Sequence, residues 1–330
     1  MISWTFWAER RRLLVSDVGR SEEQDREHKR VALRRAVSQP VFRAMVWLLR
    51  SLATTLGHRR SIRLARGISI LLCRLCPWWR KTAESNLSQA FPEWDRAQVR
   101  RCAAEVFTNL TKSLFEFLCS KSLDDDEFRA QVRIHGFEAV HEAIRGGRPV
   151  IYLAAHYDNW EWVGRRLALE GVPLTVIARR HDDPKLEALV SDTRAANGMS
   201  VSDRDDIRSS LRALQRREAV GILPDQNTFG PGGFIRFFGR PASTVYGPHR
   251  LWQRTNAAVF HTLSRRASDD SHDLHVWPMD IPEQSGDKEA DAHAFMQEAA
   301  RALEAWIREE PSQWLWIHKR WKRQPDGEAG

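Results

Sequence analysis

The chain has 330 residues with 42% hydrophobic content, enough for one large domain or two small ones around a real core, and it contains no internal repeat or low-complexity tract. The formal charge of +8 is unevenly spread: residues 31–83 hold eleven Lys/Arg and no Asp or Glu, while residues 1–30 carry seven basic and six acidic groups. Such a segment faces a polyanion, either nucleic acid or an anionic membrane, and the rest of the chain is slightly acidic.

The opening "MISWTFWAERRRLLV" has its arginines after the aromatics and no small-residue cleavage site, so no cleavable signal peptide is read there. Residues 1–30 are expected to form a peripheral or mobile extension. "VFRAMVWLLRSLATTL" (41–56) puts Arg43 and Arg50 on one helical face, and "ISILLCRLCPWW" (68–79) ends in paired tryptophans. Neither approaches the ~18 uninterrupted apolar residues of a spanning helix, and an arginine at mid-bilayer costs about 2.5–3.5 kcal/mol. Residues 31–83 are therefore read as basic amphipathic helices lying in a membrane interface. Core helices with arginine rims are the competing reading. Fourteen tryptophans against three tyrosines suit an interface, although base stacking on single-stranded nucleic acid uses the same ingredients. The cysteines at 73, 76, 102 and 119 include one CxxC but no second ligand pair at zinc spacing, so free thiols are expected and no metal site.

Residues 84–325 read as one α/β domain. Asp95 is placed to cap a helix over 95–118, and after the acidic turn 123–127 the alternation in "FRAQVRIHGF" predicts a strand. Next come a helix at 138–145, a strand at 149–154, a helix near 159–169, a strand at 173–178, helices near 184–197 and 205–217, and a strand at 219–224. This alternation predicts a largely parallel central sheet flanked by helices. Reactive groups gather at the carboxyl ends of such strands; His156, Arg179 and Asp225 each come one or two residues after a predicted strand.

"AAHYDNWEW" (154–162) packs His156, Asp158, Asn159 and Glu161 into six positions. On a continuous helix His156 and Glu161 point about 140° apart. With His156 in a loop and the helix starting near Asn159, Glu161 can reach back to the imidazole and back a general base. A strand end and then a helix cap explain the same residues. "LPDQNTFGPGGFIRFFGRPASTVYGPHR" (223–250) reads as a long loop, which usually carries function; Arg236, Arg240 and Arg250 are candidates for holding phosphates, and its phenylalanines for lining an apolar channel, with a structured turn whose phenylalanines lie in the core as the competing reading. "PSQWLWIHKRWKRQP" (311–325) alternates like a strand.

"HYDNWEW" resembles the H-x4-D/E block of membrane glycerolipid-type acyltransferases. With "RKTAESNLSQAFPEW" (80–94), "VIARRHDDP" (176–184), "LPDQN", "FFGRPASTVYG" and "QWLWIHKRWKRQP" also present in family order, the chain from about 80 to 325 resembles the lipid A biosynthesis (lauroyl/myristoyl) acyltransferase family. Three departures stand out: Asn227 replaces the second acidic residue of the third motif, Trp252 stands where a small residue is common and bears on the acyl channel, and arginines break the N-terminal membrane helix.

The resemblance implies transfer of a fatty acyl chain from a thioester, of acyl-carrier protein in the first place or of coenzyme A, to a hydroxyl of a lipid A precursor. His156 would take the hydroxyl proton and Glu161 would orient it. Arg179 would bind sugar phosphates with Arg236, Arg240 and Arg250, and Asp225 would position the motif-three loop on the substrate side. A thiolate leaves readily, so no metal or cofactor is implied. The implied partners are anionic membrane lipid, a glycolipid acceptor and acyl-carrier protein, at the cytoplasmic face of the inner membrane, peripherally or shallowly anchored. Phosphatidylinositol-mannoside and lysophospholipid acyltransferases are the alternatives within the class, the former carrying Asp more often at position 161. A basic, Trp-rich nucleic-acid-binding protein is the alternative outside it.

Overall fold

The computed structural model describes residues 40, 43–181, 183–204 and 206–325. The expected extension at 1–30 and the start of the basic segment lie outside the described residues. The chain divides into two compact units, residues 1–49 and 50–330. In the first, residues 40 and 43–49 are helical, and Met45, Trp47 and Leu48 are exposed. The second holds the sheet.

It opens with helix α1 (residues 50–75), sharply bent at Gly57. Gly57 has φ +69°, which glycine adopts without a Cβ penalty, and Ser61 Oγ donates to Ala53 O, eight residues back, at 2.9 Å. A straight helix would separate those groups by about 12 Å, so the chain folds back here. Helix α2 (Pro77–Ala90) starts on a proline in its first turn, where the missing N–H has no helical partner to lose. Ile70, Leu71, Leu75, Trp78 and Trp79 all remain exposed. No helix among the described residues is long and apolar enough to cross a membrane. Helix α3 (Arg96–Leu118) is capped by Asp95 as the sequence predicts, with Gln98 closing a reciprocal capping box.

The remaining elements are α4 (Asp125–Gln131), β1 (Val132–His135), α5 (Glu138–Arg145), β2 (Val150–Leu153), α6 (Trp160–Ala168), β3 (Leu174–Ala178), α7 (Pro184–Ala196), β4 (Met199–Asp203), α8 (Ile207–Gln215), β5 (Ala219–Ile222), β6 (Gly232–Phe237), β7 (Arg240–Val245), α9 (Gly247–Thr255), β8 (Ala258–Arg266), β9 (His272–Pro278) and α10 (Lys288–Glu309). Seven strands form one sheet in the order β1-β9-β8-β2-β5-β3-β4. All neighbours are parallel except β8 and β9. The fold is α/β with a mostly parallel sheet. Alternate residues of each strand feed opposite faces: Ile151 and Leu153 join the core that includes α8, α10 and the C-terminal tryptophans, while Val150 and Tyr152 join the core under α5 and α6.

Two expectations need correction. Residues 223–250 are not one long loop: after a short connection they form the antiparallel hairpin β6–β7 and then enter α9. Its buried Ile235, Phe237 and Ala242 supply the apolar face that makes the hairpin worth forming. Residues 311–325 do not form a strand. They run as a short 3-10 turn and further turns, with one isolated bridge between Tyr157 and Trp314. The alternation there reflects Trp314 and Trp316 packing edge-to-face in the core rather than a sheet face.

Candidate active site

Strands β2 and β5 are parallel neighbours, so the connections leaving their carboxyl ends meet at one edge of the sheet. His156 comes from the first and Asp225 from the second. His156 Nδ1 lies 2.7 Å from Asp225 Oδ1, and the His156 backbone N–H donates to Asp225 Oδ2 at 2.9 Å. The indole N–H of Trp314 donates to that same Oδ2 at 2.9 Å. Burial by itself would raise the Asp225 carboxyl; the His156 ring and these hydrogen bonds outweigh it and hold the group down at about 2. An ionised Asp225 only accepts, so Nδ1 carries a proton and the neutral ring keeps its lone pair on Nε2. That nitrogen faces the Gln226 side-chain amide at 3.3 Å. Trp160 packs edge-on against the ring at 5.0 Å.

The loop that carries His156 is held by the far end of the chain. Leu315 N donates to His156 O at 3.0 Å, Asp158 N donates to Gln313 O at 2.8 Å, and the Tyr157 hydroxyl donates to Glu310 O at 2.7 Å. Asp158 has φ +49°, a conformation Asp and Asn tolerate better than most side chains. Its buried carboxylate faces His272 Nδ1 at 2.6 Å and accepts from Ser264 Oγ at 2.8 Å. Glu116, also fully buried, binds Arg266 through both oxygens at 2.5 and 2.7 Å and lies 3.3 Å from His272 Nε2. Burial would lower the His272 imidazolium, but Asp158 and Glu116 together raise it to about 9. The Arg266 guanidinium and His272 hold Glu116 well below the usual carboxylate range against its own burial. Asn159 caps α6 by accepting from Trp162 N at 3.1 Å and donates to Glu116 at 2.8 Å.

Glu161 occupies the first turn of α6 but does not reach the imidazole. Arg194 of α7 binds it through both oxygens, at 2.6 and 3.0 Å. The carboxylate behind His156 is Asp225, not Glu161, because the helix begins at Trp160 and points the Glu161 side chain toward α7. Asp225 faces the ring from the protein interior.

Arg179 directly follows β3, at the same carboxyl end of the sheet as His156 and Asp225, and is exposed. The three arginines of the hairpin region do not gather with it. Arg236 donates to Gly239 O across the β6–β7 turn, Arg240 is exposed at the start of β7, and Arg250 lines a separate cleft of about 450 Å³ with Tyr246, Arg254 and Lys288. Asn227 braces the motif-three loop: its N–H donates to His318 Nε2 at 2.9 Å and its Oδ1 accepts from Arg323 N at 3.1 Å. Burial pushes His318 down to about 4, so it stays neutral and can accept. Arg320, buried, donates to Ser243 O and to Thr244 Oγ1. A narrow slot of about 30 Å³ runs behind Asp225, walled by Leu153, Ala155, Phe237, Leu263, Met296 and Leu303. Trp252 is not in its wall; it packs on His249 and Phe295. Among the described residues no group of three His, Cys, Asp or Glu is placed to hold a metal ion. Sequence reading misses Trp314, Gln226, His318 and Arg194. The one signal for Trp314 and His318 is their place in the closing block, whose charge draws the eye instead.

The structure is an α/β fold with a carboxylate-backed imidazole at the carboxyl edge of its parallel strands. The model of the bacterial lipid A biosynthesis acyltransferase family matches residues 30–323, and the chain belongs to that family. It is 28% identical over 252 residues to the lipid A biosynthesis palmitoleoyltransferase of Escherichia coli (strain K12), covering 75% of this chain and 80% of that one. It is 25% identical over 269 residues to the lauroyltransferase of the same organism (80% and 86% covered) and 24% identical over 255 to the myristoyltransferase (76% and 77%). The chain is thus an acyltransferase of lipid A biosynthesis type.

Proposed function

We propose that the protein moves a fatty acyl chain from an acyl thioester, carried by acyl-carrier protein, to a hydroxyl of a lipid A precursor at the cytoplasmic face of the inner membrane. His156 Nε2 accepts the hydroxyl proton as the oxygen attacks the thioester carbonyl. The tetrahedral intermediate collapses, the C–S bond breaks, and the thiolate takes the proton back from the imidazolium. Asp225 keeps Nε2 as the basic nitrogen and stabilises the imidazolium as it forms. The observation that carries this reading is the Asp225–His156 bond at 2.7 Å, which leaves Nε2 facing Gln226 on a partly exposed side chain. Arg179, exposed at that end of the sheet, is suited to a sugar phosphate through its planar fork of donors. Glu161 acts through Arg194, tying the first turn of α6 to α7 beside the site.

The test is acyl transfer by the protein in membranes, from acyl-carrier-protein and coenzyme A thioesters to a phosphorylated lipid A precursor, read by mass spectrometry. His156→Ala should lose about 10²–10⁴ in rate. Undiminished transfer by that variant, or equal transfer to a lysophospholipid, would overturn the proposal.

A further inference from the structure

Arg320, 2% exposed, stands in the wall of the slot behind Asp225. Its guanidinium donates to Ser243 O and Thr244 Oγ1, while Nε is enclosed with no hydrogen-bond partner among the described residues. No carboxylate among the described residues forms an ion pair with it. A buried cation without a paired carboxylate is costly. The two hydrogen bonds do not call for one, because a neutral side-chain amide has two N–H donors for the same two oxygens. What favours the charge is Asp225, across the slot. Burial pushes Arg320 down to about 10, with Asp225 opposing, so the guanidinium is charged at neutral pH.

The interior behind His156 thus holds two opposite charges, the Asp225 carboxylate and the Arg320 guanidinium. The other titratable groups facing this region add none at pH 7. Burial pushes His261, in the slot wall, and His318, beside Asn227, each down to about 4. Glu161, on the α6 side, is neutralised by Arg194. A lone carboxylate behind an imidazole has two effects. It fixes the tautomer, and it also favours the protonated ring, which is no longer a base. A cation behind that carboxylate opposes the second effect and leaves the first alone, since the Asp225–His156 bond stays as it is. Resting on the acyl-transfer reading above, we propose that Arg320 is a positioning residue: it offsets the charge of Asp225 and so keeps His156 free of a proton until the acceptor hydroxyl supplies one.

The experiment follows kcat/KM against pH for transfer from an acyl-carrier-protein thioester to a lipid A precursor, with folding checked by circular dichroism. On its acid side the profile falls as the base takes a proton. Arg320→Gln keeps two donors and removes the charge. Its acid limb should move to higher pH by about one unit, so that the rate below the limb drops roughly tenfold. Arg320→Lys keeps the charge and gives up the planar fork; its limb should stay with the wild type's, even where its melting temperature falls. His261→Asp sets a carboxylate in the same slot and leaves both Arg320 bonds alone. Its limb should move as in Arg320→Gln, and it carries the test if the glutamine variant does not fold. An unmoved limb in the folded charge-changing variants, or equal movement in Arg320→Gln and Arg320→Lys, overturns the assignment. Arg320 would then only brace the β6–β7 hairpin, with acyl transfer left standing. No transfer by folded wild-type protein overturns the acyl-transfer reading and this assignment together.

Discussion

At the scale of single residues, the site turns on which nitrogen of His156 carries the proton, and Asp225 decides it. Its Oδ2 accepts two N–H groups, from the His156 backbone and Trp314, while Oδ1 takes the ring. In Asp225→Asn the amide oxygen has to stay where the two donors converge, which puts the NH2 against Nδ1. The ring must then accept at Nδ1 and hold its proton on Nε2, where a base needs a lone pair. The fold should survive with an unchanged melting temperature while kcat falls by about 10⁴, the cost of a wrong tautomer in a His–Asp pair. A loss below tenfold would remove Asp225 from the mechanism. Glu161 gives the contrasting case. Because its carboxylate is spent on Arg194, Arg194→Gln should cost as much activity as Glu161→Gln, and the double variant little more, since paired groups are not additive. Near-normal activity in Arg194→Gln alone would mean that Glu161 works on His156 directly.

At the scale of elements, the segment 154–159 is less a loop than a junction, pinned from below by a buried charge cluster and from the side by residues 310–315. His272 is raised to about 9 from its ordinary 6.5 by Asp158 and Glu116, against the opposing effects of its burial and of Arg266. A group whose pKa rises on folding adds stability that is fully present below 6.5 and is lost as pH climbs through 9. The melting temperature should accordingly fall between pH 6.5 and 9.5, by an amount on the order of 3 kcal/mol in stability. His272→Gln should be less stable throughout, yet flatter over that window. An equal slope in both proteins would show that another group titrates there. This junction also marks where the sequence stops being legible. His156 and Asp225 are each visible as polar residues after an apolar run, and Asp95 as a cap. That β2 and β5 are neighbours depends on crossovers that no local pattern encodes, so Glu161, five residues away, looks the better partner than Asp225 at 69. Trp314 is 89 residues beyond Asp225, and only the tertiary fold brings its indole N–H there. The hairpin β6–β7 hides for a local reason, since its glycines and prolines read as loop.

At the scale of the whole molecule, α1 and α2 carry an exposed apolar surface. Ile70, Leu71, Leu75, Trp78 and Trp79 are 44–62% exposed, and they alternate with exposed basic residues such as Arg63, Arg74 and Lys81. A scattered exposed leucine needs no explanation, but a run of large apolar residues marks an interaction surface. Cations among tryptophans fit an anionic lipid interface, where the charges attract and the rings settle at headgroup depth. The two contributions differ in their response to salt. Each basic residue near such a surface is worth about 1 kcal/mol and is screened within a Debye length of about 8 Å at 0.15 M ionic strength, whereas apolar insertion is not screened. Reversing Arg60, Arg63 and Arg74 to Glu should shift the protein from the membrane to the soluble fraction at low salt; Arg66 is spared because it pairs with Asp270 at 3.0 Å. Trp78→Ala with Trp79→Ala should leave low-salt binding largely intact but let a high-salt wash release a protein that the wild-type rings would have retained. Sedimentation of both variants like the wild type at either salt would show that this face does not hold the membrane, and a preference of the wild type for single-stranded DNA over anionic vesicles would assign it to nucleic acid instead.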